Sequence, residues 1–499
     1  MKELTERERA ISASRRRTIF VVTAMGAFMG SLDLSIVNVA FPALERTFSS
    51  DSRANLVWII TGYSIVFGSL LVIAGRTADR LGSRRLFLAG LGVFCLGSFG
   101  AALAPSLTVL IAGRVVQAIG AAAMLPSSLG LLLGAYPKER RAHIVSLWGG
   151  IGALAVATGP SVGAALISAF GWRAAFYVNL PIGLFTWLVG RRVLERTELP
   201  AARSIPDYLG SVVLVAALAA LVLAISQGPT WGWTGTATLS AFGASLVLGA
   251  LFVVRSSRHR DPVLDLKLFS SRSFSVANAA VLLYAMGFFA MLLGNILFLT
   301  SVWHYTILKA GLAVTPGPLV VATVSGPAGK MAARFGFRNV LLAGFTVFGT
   351  GLAWYALRVG VGAHYFAVWL PATLITGLGI GLTFPVLSAA AVSSLHAERF
   401  AVGSAVNQTA RQVGGSIGVA LLVVILGAPR SRDQALANFH HLWAYCASMA
   451  LLSGVVTLML RRGRYGENPD GESSAASTRR AIEEVMSGEI VISPMQTDQ

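Results

Sequence analysis

Charged residues are scarce in this chain of 499 residues: Asp, Glu, Lys and Arg together make up 12%, against roughly 25% in a soluble domain. A chain so poor in charge cannot clothe itself in a solvated surface. Its apolar residues, 55% of the total, recur in stretches of about 20, the length that crosses a hydrocarbon core. Acids are scarcer than bases, 22 against 40, which leaves a net charge of +18. In a soluble protein that imbalance would point to nucleic acid. Here the Lys and Arg fall mostly in short loops on alternate sides of the apolar stretches, the positive-inside pattern, and nucleic acid is not expected as a partner. Only two cysteines occur, Cys95 and Cys446, both inside apolar runs. No disulfide, metal site or thiol chemistry is expected of them. The seven histidines are scattered. H-E-x-x-H, paired-carboxylate and G-x-x-x-x-G-K-[ST] patterns are absent, which leaves a membrane enzyme or an ATP-driven pump without its machinery, and no cofactor is expected.

What is present is a succession of fourteen apolar spans, at about 18–42, 55–75, 86–106, 107–135, 143–169, 174–190, 208–227, 234–254, 274–301, 310–329, 338–358, 365–393, 401–428 and 440–460. The first, from Thr18, is too long for a signal-peptide core and reads as a membrane helix. An even count puts both termini on one side. Most Lys and Arg then fall on that side, which predicts an inner (cytoplasmic) membrane protein with cytoplasmic termini. An internal repeat runs at an offset of 254 residues: Gly75, Arg80, Gly82 and Arg84 return as Gly329, Arg334, Gly336 and Arg338. The same offset lays the ninth span on the first. The reading is an all-α membrane protein of two six-helix bundles, 18–190 and 274–462, with two extra central helices in 191–273. A cytoplasmic segment, 1–17, precedes them and a polar tail, 463–499, follows, with a short surface helix expected over 476–487.

Four motifs carry chemistry. In "SLDLSIVNVAFPAL", residues 31–44, Asp33 is the one carboxylate well inside a span. A charge there costs at least about 2.5–3.5 kcal/mol, so it reads as functional, with a structural salt bridge as the alternative. Burial favours its neutral form and a nearby cation its charged form. "RVVQAIGAAAMLPSS" places Arg114 and Gln117 inside the fourth span. Arg114 lies about 8 residues from the outer end of its span and Asp33 about 10 from that of its own, roughly 12 and 15 Å, so each is the other's best partner. "GRTADRLGSRR" follows the second span, with Gly75 and Gly82 allowing tight turns and Asp79, Arg80, Arg84 and Arg85 at the inner face. "GIGALAVATGPSVGAAL" in the fifth span carries Gly150, Gly159, Pro160 and Gly163; the proline breaks one helical hydrogen bond and the glycines allow close packing.

Together these motifs resemble those of the fourteen-helix drug:proton antiporter branch of the major facilitator superfamily, the EmrB/QacA type, over roughly residues 18–460. "GWRAAFYVNLPIG" after the fifth span, Asp207 with Gly210, and "AVNQTARQVGGSIGVAL" in the thirteenth support it. The departures are Thr77, Ser83, Ala118 and Ala164, and Ala333 in place of the acid in the second-half copy of the latch. The resemblance implies proton coupling through Asp33 and Arg114, an inner-face latch around Gly75–Arg85, alternation through Gly159 and Pro160, and a substrate site between the halves near the midplane. No span after the first carries an acid well inside it, whereas some relatives that export dications have one. The expected cargo is therefore amphipathic and neutral or monocationic, moved against protons. Asn38, Tyr63, Phe67, Gln117, Tyr284, Phe288, Asn407 and Arg411 are the candidate cavity residues, Phe289 lies beside them, and Arg411 either anchors a cluster with Asn407 and Gln408 or meets substrate. His304 is expected as an interfacial anchor with Trp303 and Lys309. An exporter of one endogenous metabolite or lipid is the alternative within the same class.

Overall fold

The computed structural model describes residues 13–194, 206–260, 262–393, 395 and 400–460. The N-terminal segment to residue 12 and the tail with its expected surface helix lie outside them. The described residues are mostly helical, with no strand among them. Fourteen long helices correspond to the fourteen spans: α1 Ala13–Thr47, α2 Trp58–Leu81, α3 Ser83–Ala102, α4 Leu107–Ala135, α5 Lys138–Phe170, α6 Asn179–Val193, α7 Tyr208–Trp231, α8 Thr236–Arg258, α9 Arg272–Ser301, α10 Pro316–Phe335, α11 Phe337–Arg358, α12 Leu370–Ser393, α13 Phe400–Leu426 and α14 Arg432–Thr457. Among the described residues, thirteen segments are long and apolar enough to cross a membrane. The fourteenth, α6 with the short turn Ala174–Tyr177 before it, is made less apolar by Asn179 and Pro181.

Several ends differ from the sequence expectation, each for a local reason. The helix of α2 does not stop at Gly75 but runs to Leu81, and only Gly82, at φ 88°, turns the chain into α3. Gly75 is thus an ordinary helical residue, because nothing from Arg76 to Leu81 breaks a helix. Gly336, at φ 81°, makes the same turn between α10 and α11, 254 residues on. The chain enters α14 at Arg432, well before 440. Ser431 accepts from the amide of Gln434, whose side chain accepts from the amide of Arg430, a polar start that an apolar window misses. The tenth span is divided: Ile307–Val314 forms its own short helix before Pro316 opens α10.

In each half the third and fourth helices pack through glycine. A Cβ on Gly90 would come within 2.9 Å of the Gly120 carbonyl and the Met124 amide on α4. One on Gly351 would come within 2.9 Å of the Thr376 amide on α12. Gly344 and Gly351 stand 254 residues after Gly90 and Gly97, so the repeat governs packing as well as loops. The pair α7–α8 lies against the seam between the halves. α7 is tied to α2 by Tyr208–Thr77 (3.1 Å) and Ser211 to the Ser69 carbonyl (3.4 Å), and reaches the segment before α2 through Gln227 to Asn55 (2.7 Å). Its Val222 packs with Ile65 of α2 and Ala420 of α13.

The halves also meet directly. Thr409 of α13 donates to the Gly68 carbonyl of α2 at 2.6 Å. Toward the end of the bundle where α1 and α5 finish, here the distal end, Gly311 of the short helix sits against Pro160 and Ala164 of α5, and a Cβ there would lie 2.5 Å from the Pro160 carbonyl.

Candidate functional site

Asp33 on α1 and Arg114 on α4 are 0% and 1% exposed and touch directly, Nη1 to Oδ2 at 2.5 Å. The same nitrogen donates to Gln117 Oε1 at 2.7 Å, and Gln117 Nε2 donates to Asp33 Oδ1 at 2.7 Å. Asn179, at the start of α6, donates to Asp33 Oδ1 at 3.1 Å and to Ser98 Oγ of α3 at 3.0 Å. Ser98 donates to the Phe176 carbonyl at 2.9 Å. Arg114 Nε donates to the Ile59 carbonyl of α2 at 3.1 Å, and its guanidinium lies 4.1 Å over the Tyr63 ring. Five of the six helices of the first half therefore converge on one carboxylate, and Asp33 accepts from Arg114, Gln117 and Asn179.

The pairing of Asp33 with Arg114 was legible from their matching depth. Gln117 and Tyr63, expected along a cavity, belong instead to this buried node; Tyr63 stacks on Phe67, ring centres 5.8 Å apart. Ser98, Asn179 and the Ile59 carbonyl were missed. A buried Asn at the head of an otherwise apolar span was the available signal for Asn179.

Pro160 has no amide hydrogen, so the Val156 carbonyl four residues earlier has no helical donor. Ser35 of α1 donates to that carbonyl at 3.3 Å. It can approach because residue 159 is glycine: a Cβ there would run into the Ser35 side chain. Gly163 likewise faces Ile36, with a Cβ contact of 3.0 Å. Gly150 has open space around it and joins no such contact. The Gly-Pro motif thus seats α5 on α1 two residues beyond Asp33, and Ser35 was not picked out by sequence.

At the end of α2, Arg80 and Arg85 are exposed and Arg84 donates to the Arg191 carbonyl that closes α6, at 2.7 Å. The side chain of Asp79 lies outside the described residues. Nearby Arg76 donates to the Pro262 carbonyl at 2.6 Å, and Arg255 of α8 pairs with Asp207 at 2.8 Å, so the inserted pair is anchored at the same end. His304 is exposed and takes a left-handed φ of 51°. Trp303 beside it donates to the Gly360 carbonyl at 2.9 Å.

In the second half, Asn407 does not reach Arg411. It donates to Asn278 Oδ1 at 3.3 Å and accepts from Ser388 at 3.4 Å. Arg411 instead lies with its guanidinium 4.0 Å over Phe384. Phe384 packs edge-on against Tyr284 and Phe288, centres 4.9 and 4.7 Å apart. Asn38 donates to its own helix at Leu34 and is partly exposed.

The sequence profile of the Major Facilitator Superfamily matches residues 23–294 and 277–494. Multidrug resistance protein Stp of Mycobacterium tuberculosis (strain CDC 1551 / Oshkosh) is 34% identical over 409 residues, 82% of this chain and 75% of that one. The methylenomycin A resistance protein of Streptomyces coelicolor is 33% identical over 416 residues, 83% of this chain and 86% of its own length. The multidrug resistance protein B homolog of Mycobacterium tuberculosis (strain ATCC 25618 / H37Rv) is 33% identical over 422 residues, 84% of this chain and 77% of that one. Among solved structures, a bacterial homologue of the human drug peptide transporters PepT1 and PepT2 superposes with a TM-score of 0.62 over 89% of this chain and 98% of that one, at 15% identity, a likeness of fold.

Proposed function

This chain belongs to the major facilitator superfamily, and from that premise we propose that it exports amphipathic small molecules, drugs among them, across the cytoplasmic membrane in exchange for protons, with both termini cytoplasmic. The relatives named for drug and antibiotic resistance support the cargo class. The excess of Lys and Arg on the side of the termini supports the orientation. The observation that carries proton exchange is the buried node itself: one acid, one cation and two amides.

The mechanism follows from what each proton does to the node. As a carboxylate, Asp33 holds Arg114, Gln117 and Asn179, and through them α3, α4 and α6. A proton on Asp33 removes its charge and leaves Arg114 with the Ile59 and Gln117 oxygens and the Tyr63 ring. α1 is then held less tightly against α4, and its Ser35 carries the change to α5. The two six-helix halves, 18–190 and 274–462, rock about the seam, with the latch at the end of α2 and the contact of Gly311 with Pro160 as the closures at opposite ends. Lipid surrounds the outer faces; no cofactor is needed for such a cycle.

The test is export in everted vesicles of a fluorescent drug, with and without an imposed pH gradient. The wild type accumulates drug uphill only with the gradient. Asp33→Asn, which keeps the volume but cannot take up a proton, is present at normal abundance and loses uphill accumulation. Retention of gradient-driven accumulation by that variant would remove Asp33 as the proton carrier.

A further inference from the structure

Two arginines lie inside the spans, and their surroundings are opposite. Arg114 has an acid against it; Arg411 has none, and no ion pair involving it occurs among the described residues. Its Nε is buried and has no hydrogen-bond partner. Tyr284 on α9 is fully buried, with the Thr383 and Arg411 side chains near its hydroxyl. Phe384 touches both, beneath the Arg411 guanidinium and edge-on to Tyr284, with Phe288 against it. Arg411 as a whole is partly exposed. An uncompensated cation at membrane depth is costly and calls for an anion. With Asp33 already neutralised by Arg114, the spans of the first half offer none.

Resting on the transport reading above, we propose that Arg411 is the recognition group for the cargo, and that the cargo class is a planar aromatic compound bearing an ionised oxygen acid, a carboxylate or phenolate. The acid meets Arg411. The planar body meets the small exposed part of the Phe384–Phe288 pair, 8% and 6% of each, beside Arg411. A guanidinium already stacked on a ring is oriented to receive a carboxylate in its plane. This replaces the neutral or monocationic cargo expected from the sequence, which rested on the lack of a second acid and took no account of the unpaired base.

Equilibrium binding to the purified full-length protein in nanodiscs tests this without transport or protons. The probes are anthracene-9-carboxylate, 9-anthracenemethanol and 9-(aminomethyl)anthracene, one ring system with negative, zero and positive charge. The wild type should bind the carboxylate at least about tenfold more tightly than the other two, the scale of one charge-assisted hydrogen bond. Arg411→Gln should bring all three to within about threefold of one another, while Arg411→Lys, which keeps the charge, retains part of the preference. Phe384→Leu should weaken all three alike and keep their order. Asp33→Asn should leave the order untouched, so loss of proton-driven export there with the preference intact separates the two proposals. Monodispersity and thermal unfolding show whether each variant is folded. Should Arg411→Gln fail to fold, Arg411→Lys and Phe384→Leu still decide: the same charge order at reduced strength supports the site. Preference of the wild type for the ammonium or the alcohol, no binding of any probe, or an unchanged carboxylate preference in a folded Arg411→Gln protein overturns it.

Discussion

A carboxylate and a guanidinium taken out of water together each lose solvation that only their contact and further hydrogen bonds restore. Around Asp33 and Arg114 the restoration is unequal. Arg114 retains the Ile59 and Gln117 oxygens and the Tyr63 ring if the acid is changed. Asp33 without Arg114 keeps only the amides of Gln117 and Asn179, beside a cavity. Arg114→Ala should therefore lower stability by about 3–5 kcal/mol, and Asp33→Asn by less. The double change Asp33→Asn with Arg114→Gln should restore abundance, because no charge is left to bury, without restoring coupled export. Denaturation of detergent-solubilised single and double variants measures the interaction; simple additivity would mean that the two side chains do not act together. This pair was legible in the sequence because a charge inside an apolar span is conspicuous. Ser98, Asn179 and Ser35 were not, since Ser and Asn occur in membrane helices for many reasons and only the packed bundle shows which of them face an acid. The Ile59 contact is made by a backbone carbonyl and has no signature in sequence at all.

Along α5 the relevant unit is a turn of helix rather than a residue. Pro160 leaves the Val156 carbonyl without its helical donor, Gly159 opens a path to it, and Ser35 of α1 fills the vacancy. The three residues should therefore be non-additive. Ser35→Ala should lower stability by about 1 kcal/mol in the native background, the net worth of one such hydrogen bond. In a Pro160→Ala background residue 160 supplies the amide itself, so the same change at Ser35 should have almost no effect. Pro160→Ala alone should straighten α5 and slow export while leaving drug affinity within about twofold. Thermal unfolding of the four combinations, with binding and vesicle export on each, checks both statements. A full effect of Ser35→Ala in the Pro160→Ala background would mean that Ser35 serves something other than the freed carbonyl. The sequence displayed the Gly-Pro spacing plainly. It could not display the partner on α1, because Ser35 lies 121 residues away along the chain. The helix ends show the same limit: polar caps such as Ser431 and Gln434 extend α14 beyond its apolar run, and a hydropathy window sees only the run.

At the scale of the molecule, the repeat at 254 residues recurs in the structure as the turns at Gly82 and Gly336. What it did not tell is where the inserted pair sits or which contacts close the bundle. Both depend on surfaces from different halves, which no local pattern relates. α7 is hydrogen-bonded to α2 and to Asn55 just before it and packs extensively on α13, so it bridges the two halves. On the distal side the halves meet where Gly311 faces Pro160 and Ala164, with no room for a side chain at position 311. That contact joins the second half to the α5 turn that rests on Ser35, two residues from Asp33. A wedge at Gly311 should therefore oppose distal closure without touching the proton site. Overpacking of this kind typically costs about 1–3 kcal/mol, enough to shift a two-state population by about 5–150-fold. Gly311→Val should thus hold the distal end open and reduce export, while Asp33 and Arg114 remain paired. Spin labels at the exposed distal positions Phe170 and Leu308, each replaced by cysteine after Cys95→Ala and Cys446→Ala, give the distance across the gap. The distribution should move to longer distances in Gly311→Val and return part of the way when Ala164→Gly is added, because that removes one of the two obstacles. An unchanged distribution in the folded Gly311→Val protein would show that this contact does not govern closure, and the path from the proton site would have to leave the first half elsewhere.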